Sequence, residues 1–394
     1  MNDVDRSSKS IRLPRAGGML EDFKLSPARQ FPDRAQGPFN RIAFSAAHVV
    51  SDPLANNDPW LEPTVDWDRT IAYREYLWDL GFGVAEAMDT AQRGMGLDWP
   101  TSRELIRRSV AAARRRGALI FSGAGTDHLL PRSGLTIADV IGAYEEQIAA
   151  IESFGGRIIL MASRALAAAA EGPDDYARVY DRILSQVKEP VIIHWLGEAF
   201  DPALAGYWGS DDDYQAMETC LSVINAHKRK VDGIKVSLLS KEKEIDLRRR
   251  LPPGVRMYTG DDFNYAELIA GDQQGYSDAL LGIFDGIAPA ASAALTALAR
   301  GSTNQFFDIL EPTVPLSRHI FRAPTRFYKT GIVFLAYLNG HQDHFTMVGG
   351  QESARSTLHL AEIFRLADAA GLLRDPGVAV ARMRSVLATR GIDA

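Results

Sequence analysis

Between residues 42 and 300 the chain alternates eight short apolar runs with eight segments of helical pattern. The runs fall at 42–45, 83–88, 119–121, 157–161, 191–195, 233–236, 255–259 and 277–281. The helical segments are expected at 66–80, 101–117, 136–154, 174–187, 214–228, 241–251, 263–271 and 289–300, with Asp66 placed to cap the first. A short buried strand that feeds a helix each time implies parallel pairing under a layer of helices. Eight such units in about 260 residues is the number of a (β/α)8 barrel, an α/β fold. A doubly wound open sheet is the alternative, and it usually brings a nucleotide-binding glycine pattern. Gly123-Ala-Gly125 lacks the third glycine of that pattern. The expected organisation is an N-terminal extension at 1–38, the barrel at 39–302 and a helical segment at 303–394. The extension reads as a hairpin or an arm over the barrel. The last segment reads as helices at 304–309, 313–321, 328–338, 353–370 and 376–390.

Charge and cysteine usage exclude several classes. The net charge of −6 disfavours nucleic acid and anionic membranes as partners. Arg114-Arg115-Arg116 and Arg248-Arg249-Arg250 read as solvated helix ends, where cations suit the dipole. A single cysteine, Cys220, permits no disulfide within the chain and no thiolate metal cluster. No run of about eighteen apolar residues is present, and Met1 to Ser10 lacks the apolar core of a signal peptide. A cytoplasmic protein is the expectation.

A barrel of this kind builds its site at the C-terminal ends of its strands. That rule selects Glu86, Asp89 and Thr90 after the second strand, and Asp127 and His128 after the third. Ser163 and Arg164 follow the fourth strand, and His194 and Glu198 the fifth. Lys235 lies in the sixth, and Asp261 and Asp262 end the seventh. The residues alone leave two readings of Lys235. It is a strand-end lysine that snorkels to solvent. Or it is a desolvated amine of lowered pKa that forms a Schiff base with a carbonyl substrate. His194 is an acid/base with an ordinary pKa near 6.5, or a barrel-lining histidine held by hydrogen bonds. Arg164 grips a carboxylate or phosphate, or forms a structural ion pair. One of Asp261 and Asp262 is expected to cap the next helix.

The run Val231-Asp-Gly-Ile-Lys235, then Tyr258-Thr-Gly260-Asp-Asp262, then Gly275-Tyr-Ser-Asp-Ala-Leu-Leu-Gly282 and Ile287-Ala-Pro289, resembles the dihydrodipicolinate synthase/N-acetylneuraminate lyase family. The resemblance extends back through Pro190-Val-Ile-Ile-His194, Ser122-Gly-Ala-Gly125 and Met88-Asp-Thr-Ala-Gln92, and covers about residues 40 to 340. It implies a Schiff-base aldolase or lyase, with Lys235 as the imine-forming lysine and no separate cofactor. It also implies a keto substrate and a homo-oligomer. Two positions depart from the family pattern. The family's Gly-Thr-Thr-Gly-Glu, which holds the carboxylate of pyruvate, is Met88-Asp89-Thr90-Ala91-Gln92 here. Its strand-4 tyrosine is missing from Met161-Ala-Ser163-Arg164. An aspartate repels a substrate carboxylate and accepts hydrogen bonds from hydroxyls. The expected substrate is therefore a hydroxylated, sugar-derived keto compound. Lys235 and His194 are the expected catalytic pair, and Asp89, Thr90, Glu86, Ser163, Arg164 and Asp261 the expected binding set.

Two other functions compete. Glu86, Asp127 or His128, and His194 with Glu198 offer the oxygen and nitrogen ligands of Mn²⁺ or Mg²⁺. That set suits a metal-dependent sugar isomerase or epimerase. A barrel that keeps its pocket and only binds a small molecule is the third reading.

Overall fold

The structure, a computed structural model, describes residues 9–129, 132 and 134–394. Residues 1–8 of the expected extension lie outside that set. Strands β1 (Ser10–Pro14) and β2 (Leu20–Lys24) form an antiparallel hairpin. The hairpin lies against the C-terminal helices. Arg365 donates to the carbonyls of Leu13 and Pro14, and Phe23 meets Phe364 edge to face.

Eight parallel strands close the barrel: β3 (Ala43–Ala46), β4 (Gly83–Glu86), β5 (Ile120–Ala124), β6 (Arg157–Leu160), β7 (Val191–Leu196), β8 (Val231–Ser237), β9 (Arg256–Thr259) and β10 (Asp278–Leu281). They pair in chain order, and β10 returns to β3. The fold is the (β/α)8 barrel that the alternation implies. Side chains alternate between the lumen and the helix layer, as the period of two requires. Phe44, Ala85, Phe121, Ile159, Ile192, Tyr258 and Leu280 fill the lumen below the site. Phe44 packs edge to face on Phe121 and Tyr258. Gly83 makes room for that ring, since a Cβ there would lie 2.6 Å from Phe44 Cδ1.

Caps fix most helix starts. Asp66 accepts from Arg69 N, and Thr136 and Asp139 form a reciprocal capping box. The second helix, Trp99–Arg116, starts two residues before the expected position. Asp98 is its cap, accepting from Thr101 N, and a proline occupies the first turn. Strand β4 stops at Glu86, short of the expected 88, because Ala87 turns to φ 52°.

The C-terminal segment consists of helices Thr303–Leu310, Val314–Ile320, Tyr328–Leu338, Thr357–Ala369 and Pro376–Ala388. All 11 residues of Tyr328–Leu338 are buried. A helix without a polar face must be enclosed by protein. Its first residue reaches the barrel mouth. Among the described residues, no helix is long and apolar enough to cross a membrane.

Candidate active site

The cavity at the C-terminal ends of β4 to β7 has a volume of about 730 Å³. Asp89 and Arg93 line it after β4, Gly125, Thr126 and Asp127 after β5, and Met161 and Arg164 after β6. His194 and Leu196 of β7 and the following Asp201 complete the wall. The other side of the mouth is closed by aromatic rings. Phe321 stacks on Tyr328 at 4.3 Å, and Phe200 packs edge-on against both.

Lys235 is on β8, in register with His194 on β7, so both side chains face the lumen. Lys235 is only 8% exposed. Burial lowers its pKa, while the charges of Asp262 and Asp89 push it back up. Among the described residues, its ammonium has neither a hydrogen bond nor an ion pair within 4 Å. Gly260 lets the stem pass, since a Cβ there would lie 2.7 Å from Lys235 Cε and 2.3 Å from Ser237 Oγ. That close approach accounts for the glycine before the two aspartates.

His194 is 1% exposed. Its Nε2 lies 3.3 Å from Ser237 Oγ, and its Nδ1 has no partner. Burial, and then the charge of Lys235, hold its pKa well below the ordinary value. It is therefore a neutral imidazole at neutral pH. The expectation of a group titrating near 6.5 does not fit this environment.

The two aspartates after β9 divide their work. Asp261 accepts from Phe263 N, Asn264 N and Asn264 Nδ2, and so ties down the turn that follows. It is not among the residues lining the cavity. Asp262 accepts from Ile283 N at 2.9 Å. Burial raises its pKa to about 7, against the pull of Lys235. Asp262 is the carboxylate whose charge acts on the lysine, and Asp261, expected in the substrate-binding set, serves the turn instead.

Glu86 departs from its expected role in the same way. It is fully buried in a two-pronged pair with Arg74, at 2.8 and 2.9 Å, on the helix side of β4. Parity explains this: Ala85 faces the lumen, so Glu86 faces outward. Its Oε1 also accepts from Ala87 N at 2.8 Å. Ala87 occupies the left-handed region at a cost of about 1 kcal/mol. Glu86 thus braces the turn that swings Asp89 to the cavity.

Ser163 caps the short helix Arg164–Ala169 and shares a 2.6 Å hydrogen bond with Thr126 Oγ1. It braces the wall without lining it. Arg164 lines the cavity and pairs with Asp201. Thr90 Oγ1 lies 2.8 Å from the hydroxyl of Tyr328. Tyr328 and its neighbour Lys329 escaped sequence reasoning, because nothing local ties a C-terminal helix to a barrel mouth. Asp127 is held by Arg93 and by Gln147, which also contacts His128 at 2.8 Å. Glu86 and Asp127 of the metal-ion reading are thus engaged by cations, and Glu198 is exposed and outside the cavity lining. Among the described residues, no three His, Cys, Asp or Glu side chains converge on a metal position.

Comparison with solved structures matches the barrel. A putative dihydrodipicolinate synthetase from Pseudomonas aeruginosa aligns with TM-score 0.63 at 15% identity, covering 84% of this chain and 99% of that one. Dihydrodipicolinate synthase from Aquifex aeolicus aligns with TM-score 0.64 at 12% identity, with coverage of 84% and 99%. YagE, a prophage protein of the dihydrodipicolinic acid synthase family from E. coli K12 solved with pyruvate, aligns with TM-score 0.63 at 12% identity, with coverage of 90% and 99%. At these identities the likeness establishes the fold. No curated protein matches the chain. The family model described as "Protein of unknown function (DUF993)" matches residues 11–392, and the chain belongs to that family.

Proposed function

We propose that the chain is a Schiff-base aldolase or lyase that makes or breaks a C–C bond in a hydroxylated, sugar-derived keto compound. The observation that carries this reading is Lys235, a buried amine of lowered pKa on the luminal face beside a polar cavity. A neutral amine is the nucleophile that ketones need. Its nitrogen attacks the carbonyl carbon, and the carbonyl oxygen leaves as water after gaining two protons. The iminium that remains accepts the electron pair of the adjacent C–C bond, or of a C–H bond in the reverse direction. Asp262, at about 7, titrates where such a proton exchange is useful at neutral pH. His194 stays uncharged and can donate from one ring nitrogen while accepting on the other. Asp89, with a free carboxylate on the cavity wall, suits a substrate hydroxyl.

The test is borohydride reduction in the presence of dihydroxyacetone, hydroxypyruvate or pyruvate, followed by peptide mass mapping. The expected result is a reduced adduct on Lys235, strongest with a hydroxylated ketone and absent in Lys235→Ala. No adduct with any of the three would sink the reading.

A further inference from the structure

The cavity is larger than a three-carbon ketone needs, and its outer wall differs in kind from its inner end. Its volume of about 730 Å³ lies in the range of pockets that enclose drug-sized molecules, roughly 300–1,000 Å³. The polar inner end is marked by Asp89 and by His194, which is in register with Lys235. Leu196 stands two residues beyond His194 on the luminal face of β7, so the lining turns apolar within one step of that strand. Leu129 and Leu135 continue the apolar wall after β5, Ala165 and Ala168 after β6, and Leu204 after β7. These three strands are neighbours in the barrel, so the segments that follow them meet. The helix Arg164–Ala169 packs against the turn Pro202–Leu204, and Arg164 is pinned to Asp201. On that helix Leu166 is fully buried, while Ala165 and Ala168, three residues apart, share the face turned to the cavity. Two small side chains there leave open a space that larger ones would fill. The cations of this wall are already engaged, Arg93 by Asp127, Arg132 by Asp139 and Arg164 by Asp201. An anionic tail would have to break one of these pairs, and a hydroxylated tail would give up water for leucine and alanine side chains.

We propose that the substrate of this cavity is amphipathic, with its keto and hydroxyl end toward Lys235 and Asp89 and a hydrocarbon arm along Leu129, Leu135, Ala165, Ala168, Leu196 and Leu204. The arm leaves water for an apolar wall, and that burial supplies affinity. Binding energy gained at a distance from the carbonyl also holds the reacting end in place. The substrate class narrows from any sugar-derived ketone to a hydroxyketone with an apolar substituent. The arm rests on the hydroxyketone reading of this cavity but not on the imine at Lys235.

Ligand-detected NMR titration with hydroxyacetone and with 1-hydroxyhexan-2-one tests the arm, since the two differ only in the length of the alkyl chain. The titrations use the full chain with and without Lys235→Met, which removes covalent capture. Each buried CH2 group strengthens binding roughly fourfold, so the longer ketone is expected to bind about tenfold or more tightly. Ala165→Phe and Ala168→Phe fill the space along the wall and should each abolish that preference. Ala168 is exposed and Ala165 half-buried, so both substitutions fall outside the packed core. A preference retained in either variant, or equal or undetectable binding of the two ketones by the parent, overturns the arm. A preference in the parent with no borohydride adduct on Lys235 overturns the imine alone. An adduct on Lys235 with equal affinities overturns the arm alone.

Discussion

At the scale of single residues the site is governed by the charges around one amine. Lys235 is driven toward its neutral form by burial and held back by Asp262 and Asp89. Removing a carboxylate from that balance must lower the lysine pKa further. Asp262→Asn is therefore predicted to shift the acid limb of adduct formation to lower pH, by about one unit. Borohydride trapping rates between pH 5 and 9 check it, and an unmoved limb or a shift upward contradicts it. The residue types of this site were legible in the sequence, but their directions were only partly so. Lys235 stood out as a cation inside an apolar run. Glu86 and Asp261 were chosen for being polar at strand ends, although parity assigns them differently. On β4 the count ends at Glu86, because Ala87 leaves the strand and the turn brings Asp89 to the cavity. On β9, Tyr258 faces the lumen, and counting by two gives Gly260 and Asp262. Alternation carries this signal. It becomes readable once one luminal residue per strand is known.

At the scale of elements, the helix Lys241–Arg250 shows how the barrel holds an acid outside the site. Glu244 is buried on it and accepts from Thr259 Oγ1 at 2.9 Å and Ser277 Oγ at 2.7 Å. Those contacts tie the helix to β9 and to the entry of β10. Burial raises the Glu244 pKa from 4.5 to about 8. The folded state therefore binds a proton that the unfolded chain releases near 4.5. Stability from this group is fully present below that value and falls as pH rises toward 8. Glu244→Gln keeps the size of the side chain and removes the titration. Its melting temperature should fall less steeply than the parent's between pH 5 and 8. The difference should be about 3–4 kcal/mol across that range. Parallel slopes in thermal melts would show that Glu244 is already charged in the fold. Element types were the most readable feature of the sequence, because each strand and helix carries its own period. Starts were readable only where the cap is local. Asp66 and Thr136 announce theirs, whereas Thr101 drew attention away from Asp98, whose side chain accepts from Thr101's own backbone.

At the scale of the whole molecule, the C-terminal segment is part of the barrel's closure. Helix Tyr328–Leu338 packs against the turn Ile283–Gly286 after β10, where a Cβ on Gly286 would lie 2.8 Å from Leu335 Cδ1. Tyr328 and Phe321 cover Gly282, and Tyr328 meets Thr90 after β4. The contacts thus join residues far apart in sequence, and no local pattern near 328 announces them. Ser317 donates to the carbonyl of Asp262, so the segment also fixes the loop beside the lysine. A chain ending at residue 302 would expose the surfaces that Ile320, Phe321, Tyr328, Ile332 and Leu335 now cover, all of them buried. Each such side chain contributes about 1.5–3 kcal/mol on burial. Five together match or exceed the typical stability of a domain, about 5–15 kcal/mol. The truncated chain should therefore show no cooperative thermal transition and should associate on size exclusion. Near-ultraviolet circular dichroism gives the decisive comparison. A retained native spectrum with a sharp melt would mean that the barrel stands alone and that the segment serves only the site.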